Sequence, residues 1–274
     1  MSLAGVIRLA EVRETVVLLH GFGGTRRAWD GVVQRLHAER YRPLALDLPG
    51  HGARAATQPP ITFAACTQLV LAEAPERFVL CGYSMGGRVA LHVALAAPAC
   101  VRRLVLVACD PGIEDGRERA GRRRAEERLA RELEQGALQE GGVESFSERW
   151  NAQPLFASDP AGVSALARAD QLRNDPRALA SALRGLGTGS MQPQWGRLCE
   201  LEPPVTFVAG DRDAKFTAIG RRVAGAVRNG RLVVLSGGHR LPLEDPVGVA
   251  RAIAEPEART ATSDASADAR SAAP

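Results

Sequence analysis

Four short segments of this 274-residue chain carry residues whose types and spacing suit acid–base or nucleophilic chemistry. The first is Gly82-Tyr83-Ser84-Met85-Gly86. In a GxSxG turn the bend is so sharp that only glycine fits beside the serine; the turn lifts the hydroxyl and aims the next amide, Met85 N–H, at the same point. Serine alone is a weak nucleophile or base and needs a partner to take its proton. Among five histidines, His239 in Ser236-Gly237-Gly238-His239 suits that role, because it follows an apolar run on a glycine-rich loop. His37 and His92 sit inside helical patterns and read as structural. The third segment, Gly210-Asp211-Arg212-Asp213-Ala214-Lys215-Phe216, offers a carboxylate to orient the histidine. Asp211 and Asp213 both qualify; Asp213, deeper in the loop, is preferred, and Asp211 reads as a turn or cap residue. The fourth is His20-Gly21-Phe22-Gly23-Gly24, whose Phe22 N–H is expected to join Met85 N–H in an oxyanion hole. Asp47 to Gly52 reads as a structural turn, with His51 near the border of the pocket.

Such groups must be held by rigid elements. Thr15 to Leu19, Arg42 to Leu46, Phe78 to Cys81, Val101 to Ala108, Val205 to Ala209 and Arg231 to Leu235 are short apolar runs that predict buried strands. Helical spacing is expected over Trp29 to His37, around Phe63, Cys66 and Val70, from the serine turn to about Ala97, over Ala218 to Val227, and after Asp245. Strands alternating with helices imply an α/β protein with a mostly parallel central sheet flanked by helices. Each chemistry-bearing segment directly follows a predicted strand. Between Pro111 and Glu202 the pattern holds no convincing strand, which predicts a helical cap inserted after the fourth strand. The expected organisation is a core of residues 1–110 and 203–254, a cap of residues 111–202, and a disordered, Ala- and Ser-rich tail of residues 255–274. Residues 1–14 leave room for one or two antiparallel strands at most.

Composition narrows the function. Apolar residues make up 45% and aromatics 4%, so the core must be built mainly from Ala, Val and Leu. The formal net charge is +4, and no basic run is interleaved with aromatics, which argues against nucleic acid. No stretch approaches a membrane span and the first residues form no signal peptide. Five cysteines without CxxC spacing predict reduced thiols and a cytoplasmic protein. No metal is expected, since no histidine or cysteine cluster is present, and no organic cofactor, since HGFGG lacks GxGxxG spacing. Lys215 is the only lysine among 35 basic residues. Arginine abundance fits a GC-rich genome, yet the insert places many arginines above the serine. Their planar forks suit a small anionic substrate bearing carboxylates. Arg88, four residues beyond Ser84, lies on that serine's helical face.

Residues 15–110 and 203–250 together resemble the α/β-hydrolase fold. The insert is more specific. Gly82-Tyr-Ser-Met-Gly-Gly-Arg88, Asp110-Pro-Gly-Ile113 before an arginine-rich helix, Trp150-Asn-Ala-Gln-Pro-Leu-Phe156, Gly187-Thr-Gly-Ser-Met-Gln-Pro193 with Trp195, and Asp213-Ala-Lys-Phe216 resemble the 2-succinyl-6-hydroxy-2,4-cyclohexadiene-1-carboxylate synthases of the menaquinone pathway. The resemblance implies a lyase that uses the serine as a base to eliminate pyruvate. It implies substrate-side roles for Tyr83, Arg88, Arg122, Trp150 and Arg173. The chain departs from that pattern after His239, where Arg240 and Pro242 replace the usual Asn and His. The alternative function is a serine hydrolase, an esterase or carbon–carbon bond hydrolase, on a small carboxylated substrate. A binding protein without activity would have no use for Ser84, Asp213 and His239 together. A monomer or small homo-oligomer is expected.

Overall fold

A computed structural model describes residues 13–138 and 142–254; the expected tail and the possible extra N-terminal strands lie outside them. Six strands form one sheet: β1 (Glu14–Leu19), β2 (Tyr41–Leu46), β3 (Phe78–Tyr83), β4 (Val101–Val107), β5 (Val205–Gly210) and β6 (Gly230–Leu235). Their spatial order is β2-β1-β3-β4-β5-β6, and every neighbouring pair is parallel.

Parallel strands are buried on both faces, which is why they read as continuous apolar runs rather than as alternation. Val17, Leu19, Phe78, Leu80, Leu104 and Leu106 face one core. Their alternates Val16, Leu18, Val79, Cys81, Val105 and Val107 face the other. Helices α2 (Phe63–Glu73), α3 (Met85–Ala96) and α8 (Ala214–Ala226) contribute side chains to the first core. The short α1 (Asp30–Val33), α9 (Leu241–Glu244) and α10 (Pro246–Ala254) contribute to the second.

Two helices differ from the expected spans. The pattern over Trp29 to His37 resolves into a 3-10 turn, Arg26–Trp29, and the single α turn of α1. Trp29, Val32 and Leu36 are nonetheless buried together. The spacing found the buried face, but the chain turns at His37, whose carbonyl accepts from Arg40 and Tyr41, and drops straight into β2. Helix α8 begins four residues before the expected Ala218, because Asp213 caps it by accepting from Phe216 N at 3.2 Å.

Between β4 and β5 lie α4 (Gly116–Gly136), α5 (Gly142–Asn151), α6 (Ala161–Gln171) and α7 (Pro176–Leu186), with 3-10 turns at Pro154–Phe156 and Trp195–Glu200 and no strand among the described residues. Ala130, Leu133, Phe146, Leu179, Ala180 and Leu183 form a small core of their own there. No described helix is long and apolar enough to cross a membrane.

Candidate active site

All four chemistry-bearing segments emerge at the carboxyl ends of parallel strands, where open α/β sheets bind ligands. Ser84 follows β3 directly, with φ 50° and ψ −110°, a conformation that L residues rarely adopt. Such strain costs about 1–3 kcal/mol and persists only where the surroundings enforce it. Here the enforcement is steric. A Cβ at Gly82 would lie 2.3 Å from Gly86 O, and one at Gly86 would lie 2.2 Å from Leu19 O. The GxSxG spacing is therefore what lets α3 start hard against β1. Ser84 N–H donates to Val107 O at 2.9 Å, tying the turn to β4.

The loops after β5 and β6 bring the partners together. His239 Nδ1 lies 2.8 Å from Asp213 Oδ2, and Nε2 lies 3.4 Å from Ser84 Oγ. A carboxylate only accepts, so Nδ1 carries the proton and Nε2 is left to accept from the serine hydroxyl. Asp213 and His239 are both buried. Asp211, the other acid candidate, is exposed and accepts from Gly237 N at 2.9 Å, pinning the histidine loop to the end of β5.

Met85 N–H stands at the first position of α3, where a helix supplies no internal acceptor. The loop after β1 approaches the same point. A Cβ at Gly21 would fall 2.8 Å from the Tyr83 ring and 3.5 Å from Ser84 Cβ, so only glycine admits this approach. Phe22 N–H donates to no backbone group among the described residues.

His20 and His51, together with Asn174 and Asp170, which the sequence did not single out, hold this loop. His51 Nε2 accepts from Gly23 N at 3.2 Å, and His20 Nε2 accepts from Leu48 N at 2.9 Å. Asn174 Nδ2 donates to Gly23 O at 2.8 Å, while Asp170 accepts from Thr25 N at 2.7 Å. Both histidines are fully buried, and burial pushes each below its ordinary pKa; the neighbouring His20 lowers His51 further. As acceptors at Nε2 they must be neutral. His51 thus scaffolds the loop and does not line the cavity. The sequence signal was present, since buried histidines beside glycine turns serve as fixed polar struts, but the partners lie in distant segments.

Above Ser84 opens a cavity of about 1170 Å³. Of the expected substrate-side residues, Tyr83, Arg88, Arg122 and Trp150 line it. Arg173 does not. It lies just beyond α6, half exposed, 3.8 Å from Asp170 Oδ1, and the loop turns the next residue, Asn174, inward instead. Arg88 is buried; its Nη2 donates to Leu186 O at 2.9 Å, and its buried Nε has no hydrogen-bond partner among the described residues. The Tyr83 ring lies 5.6 Å from that of His239, and burial raises its phenol pKa. Trp150 packs at tilted angles against Phe22, Phe146 and Phe156, so the cap's aromatic cluster rests directly on the glycine-rich loop after β1.

The cap is seated by charge. Arg122 Nε donates to Glu126 at 2.6 Å, and buried Glu126 also accepts from Thr188 N and Gly189 N, each at 3.0 Å. This accounts for the Gly187-Thr-Gly189 spacing, since a Cβ at Gly187 would fall 2.2 Å from Glu126 Oε2. Arg240, beside the histidine, is also buried. It donates to Asp159 at 2.6 Å and to Asn151, and stacks 3.8 Å over Phe156. Arg222 of α8 stacks 3.7 Å over Trp195 and pairs with Glu114 at 2.8 Å.

A serine at a strained strand–helix turn, a histidine and an acid on the following strand ends, and a glycine loop opposite define an α/β-hydrolase-type enzyme. The model of the alpha/beta hydrolase family matches residues 16–252. A 2-succinyl-6-hydroxy-2,4-cyclohexadiene-1-carboxylate synthase from Salmonella paratyphi C is 32% identical over 245 residues, 88% of this chain and 92% of its own. The solved structure of MenH from S. aureus superposes with a TM-score of 0.80 at 30% identity, covering 88% of this chain and 91% of that one. A malate-bound esterase from Thermogutta terrifontis shares the fold with a TM-score of 0.71 at 25% identity, covering 88% of each chain. The chain belongs to the 2-succinyl-6-hydroxy-2,4-cyclohexadiene-1-carboxylate synthase family of α/β hydrolases.

Proposed function

We propose that this enzyme is a lyase of menaquinone synthesis. It eliminates pyruvate from 2-succinyl-5-enolpyruvyl-6-hydroxy-3-cyclohexene-1-carboxylate to form 2-succinyl-6-hydroxy-2,4-cyclohexadiene-1-carboxylate. The ring C2–H is acidified by the adjacent succinyl ketone. His239 takes the Ser84 proton and Asp213 stabilises the resulting imidazolium. The Ser84 oxyanion then removes the C2 proton. The electron pair forms C2=C3, the former C3=C4 pair forms C4=C5, and the C5–O bond breaks. Enolpyruvate leaves, takes a proton and ketonises to pyruvate. Charge that develops on the succinyl carbonyl oxygen falls to the Phe22 and Met85 amides. The 3.4 Å separation of Ser84 and His239 is of the kind that tightens when substrate binds.

The observation that carries this reading is Arg88. It is buried one helical turn from Ser84, inside the cavity, with a donor, Nε, that has no hydrogen-bond partner among the described residues. A substrate carboxylate is the acceptor that matches it. Arg122, Tyr83 and Trp150 complete the substrate side of the cavity, and the reaction takes place in the cytoplasm on a monomer or small homo-oligomer. The second reading, a serine hydrolase on a small carboxylated substrate, is favoured by the same triad and by the shared esterase fold. Purified protein incubated with the enolpyruvyl substrate decides between them. The lyase reading expects pyruvate release that Ser84→Ala abolishes and Arg88→Ala weakens strongly. Efficient cleavage of p-nitrophenyl esters with no pyruvate release overturns it.

A further inference from the structure

We propose that Lys215 binds a second carboxylate of the substrate, at the end of its succinyl arm. This rests on the lyase reading above. It comes from asking which cations around the cavity are free to meet an anion. The lining carries carboxylates as well as cations, so most of its positive charge is already matched. Arg122 is held by Glu126, Arg212 by Glu244 at 2.7 Å, Arg222 by Glu114 and Arg240 by Asp159. Among the described residues, the cavity cations with no carboxylate within 4.0 Å are Arg88 and Lys215.

These two differ in depth. Arg88 is buried in α3 on the Ser84 side of the relay, whereas Lys215 is exposed in the first turn of α8, two residues beyond Asp213. Its ammonium lies 5.4 Å from the Phe216 ring centroid, and that ring lies 4.6 Å from the ring of His239. The flexible stem therefore sits at the rim, beside the catalytic histidine. When the ring C2–H meets Ser84, a rim cation is reached only by the longest arm, the succinyl chain. A compact ammonium with three rotatable donors adapts to a carboxylate that arrives on a flexible chain, whereas a planar fork demands a fixed orientation. A lone lysine in a chain that otherwise uses arginine falls where that difference matters.

The test compares wild type with Lys215→Met, which keeps the stem, and Lys215→Arg, which keeps the charge. The cyclohexadiene product retains the succinyl arm, so its binding is measured by titration calorimetry alongside the kinetics of pyruvate release. The expected result is an increase of about tenfold in product Kd for Lys215→Met, with most of the kinetic loss in KM and an unchanged melting temperature. Lys215→Arg recovers part of the loss, and added salt weakens wild type more than Lys215→Met. Product Kd and KM within about twofold of wild type in Lys215→Met overturn the proposal while leaving the lyase reading intact. Absence of pyruvate release by wild type removes the lyase reading, and this proposal falls with it.

Discussion

The sheet and the cap hold their halves of the site by different means. On the sheet, Ser84, Asp213 and His239 are placed by strand ends, glycine contacts and backbone hydrogen bonds over a two-sided apolar core. In the cap, the residues over the cavity are placed by buried or half-buried charge: Glu126 under the Thr188 loop, Arg240 on Asp159, Arg184 between Glu127 and Glu134. Apolar packing and steric contact involve no charge that pH can remove or salt can screen. Ion pairs and polar networks fix it only while each partner is present and correctly charged. The Ser84, Asp213 and His239 side chains are thus held mainly by contacts that carry no charge, and the helices over the cavity mainly by contacts that do.

The largest expected effect lies on the sheet. Gly86→Ala would drive a Cβ into Leu19 O, so it should destabilise the protein by more than about 4 kcal/mol or prevent folding. Thermal melting reads this, and a near-normal melting temperature would show that the elbow is looser than its contacts imply. Where the core meets the cap, Arg240→Met strands Asp159, whose side chain is wholly buried, and should cost about 3 kcal/mol in urea unfolding. Arg240→Met with Asp159→Asn should recover much of that loss, because no buried charge is left unpaired. No recovery would mean that Arg240 acts chiefly through Phe156.

A smaller effect follows from His20 and His51. Both are held neutral by burial, with pKa values below the ordinary value. In the unfolded chain they protonate near about 6.5. As pH falls through that value the unfolded state binds more protons than the folded one, so stability is full above it and declines below it. Urea midpoints between pH 7 and pH 5 should fall, and His51→Gln should flatten the slope; a slope unchanged in the variant would remove His51 from the account. The smallest effect belongs to the half-exposed pairs. Arg184→Ala should lower the melting temperature only slightly, and the difference should vanish in high salt.

The same contrast explains what could be read from the sequence. The inner strands β1, β3, β4 and β5 were legible because two-sided burial writes them as apolar runs, and the edge strands β2 and β6 because each still keeps a short apolar stretch, Leu44 to Leu46 and Leu232 to Leu235. Ser84, His239 and Asp213 were legible because the elbow has a steric signature and the other two follow strands at short range. The cap was legible only as helix. Its contacts join residues far apart in the chain, Arg240 to Asp159 and Glu126 to Thr188, and charge along a helix does not reveal which partner it meets. Arg173 shows the limit: the family pattern pointed to that loop, but the side chain turned inward there is Asn174. The arginines of the insert suggested an anionic substrate, and among the described residues pairing leaves Arg88 and Lys215 as the lining cations without a carboxylate within 4.0 Å.

The central claim is that Ser84 acts as a base toward ring carbon. Single-turnover pyruvate release from substrate deuterated at C2 tests it most directly. The account predicts severalfold slower release than from the protiated substrate, and no release at all in Ser84→Ala. Pyruvate released by Ser84→Ala at the wild-type rate would contradict it.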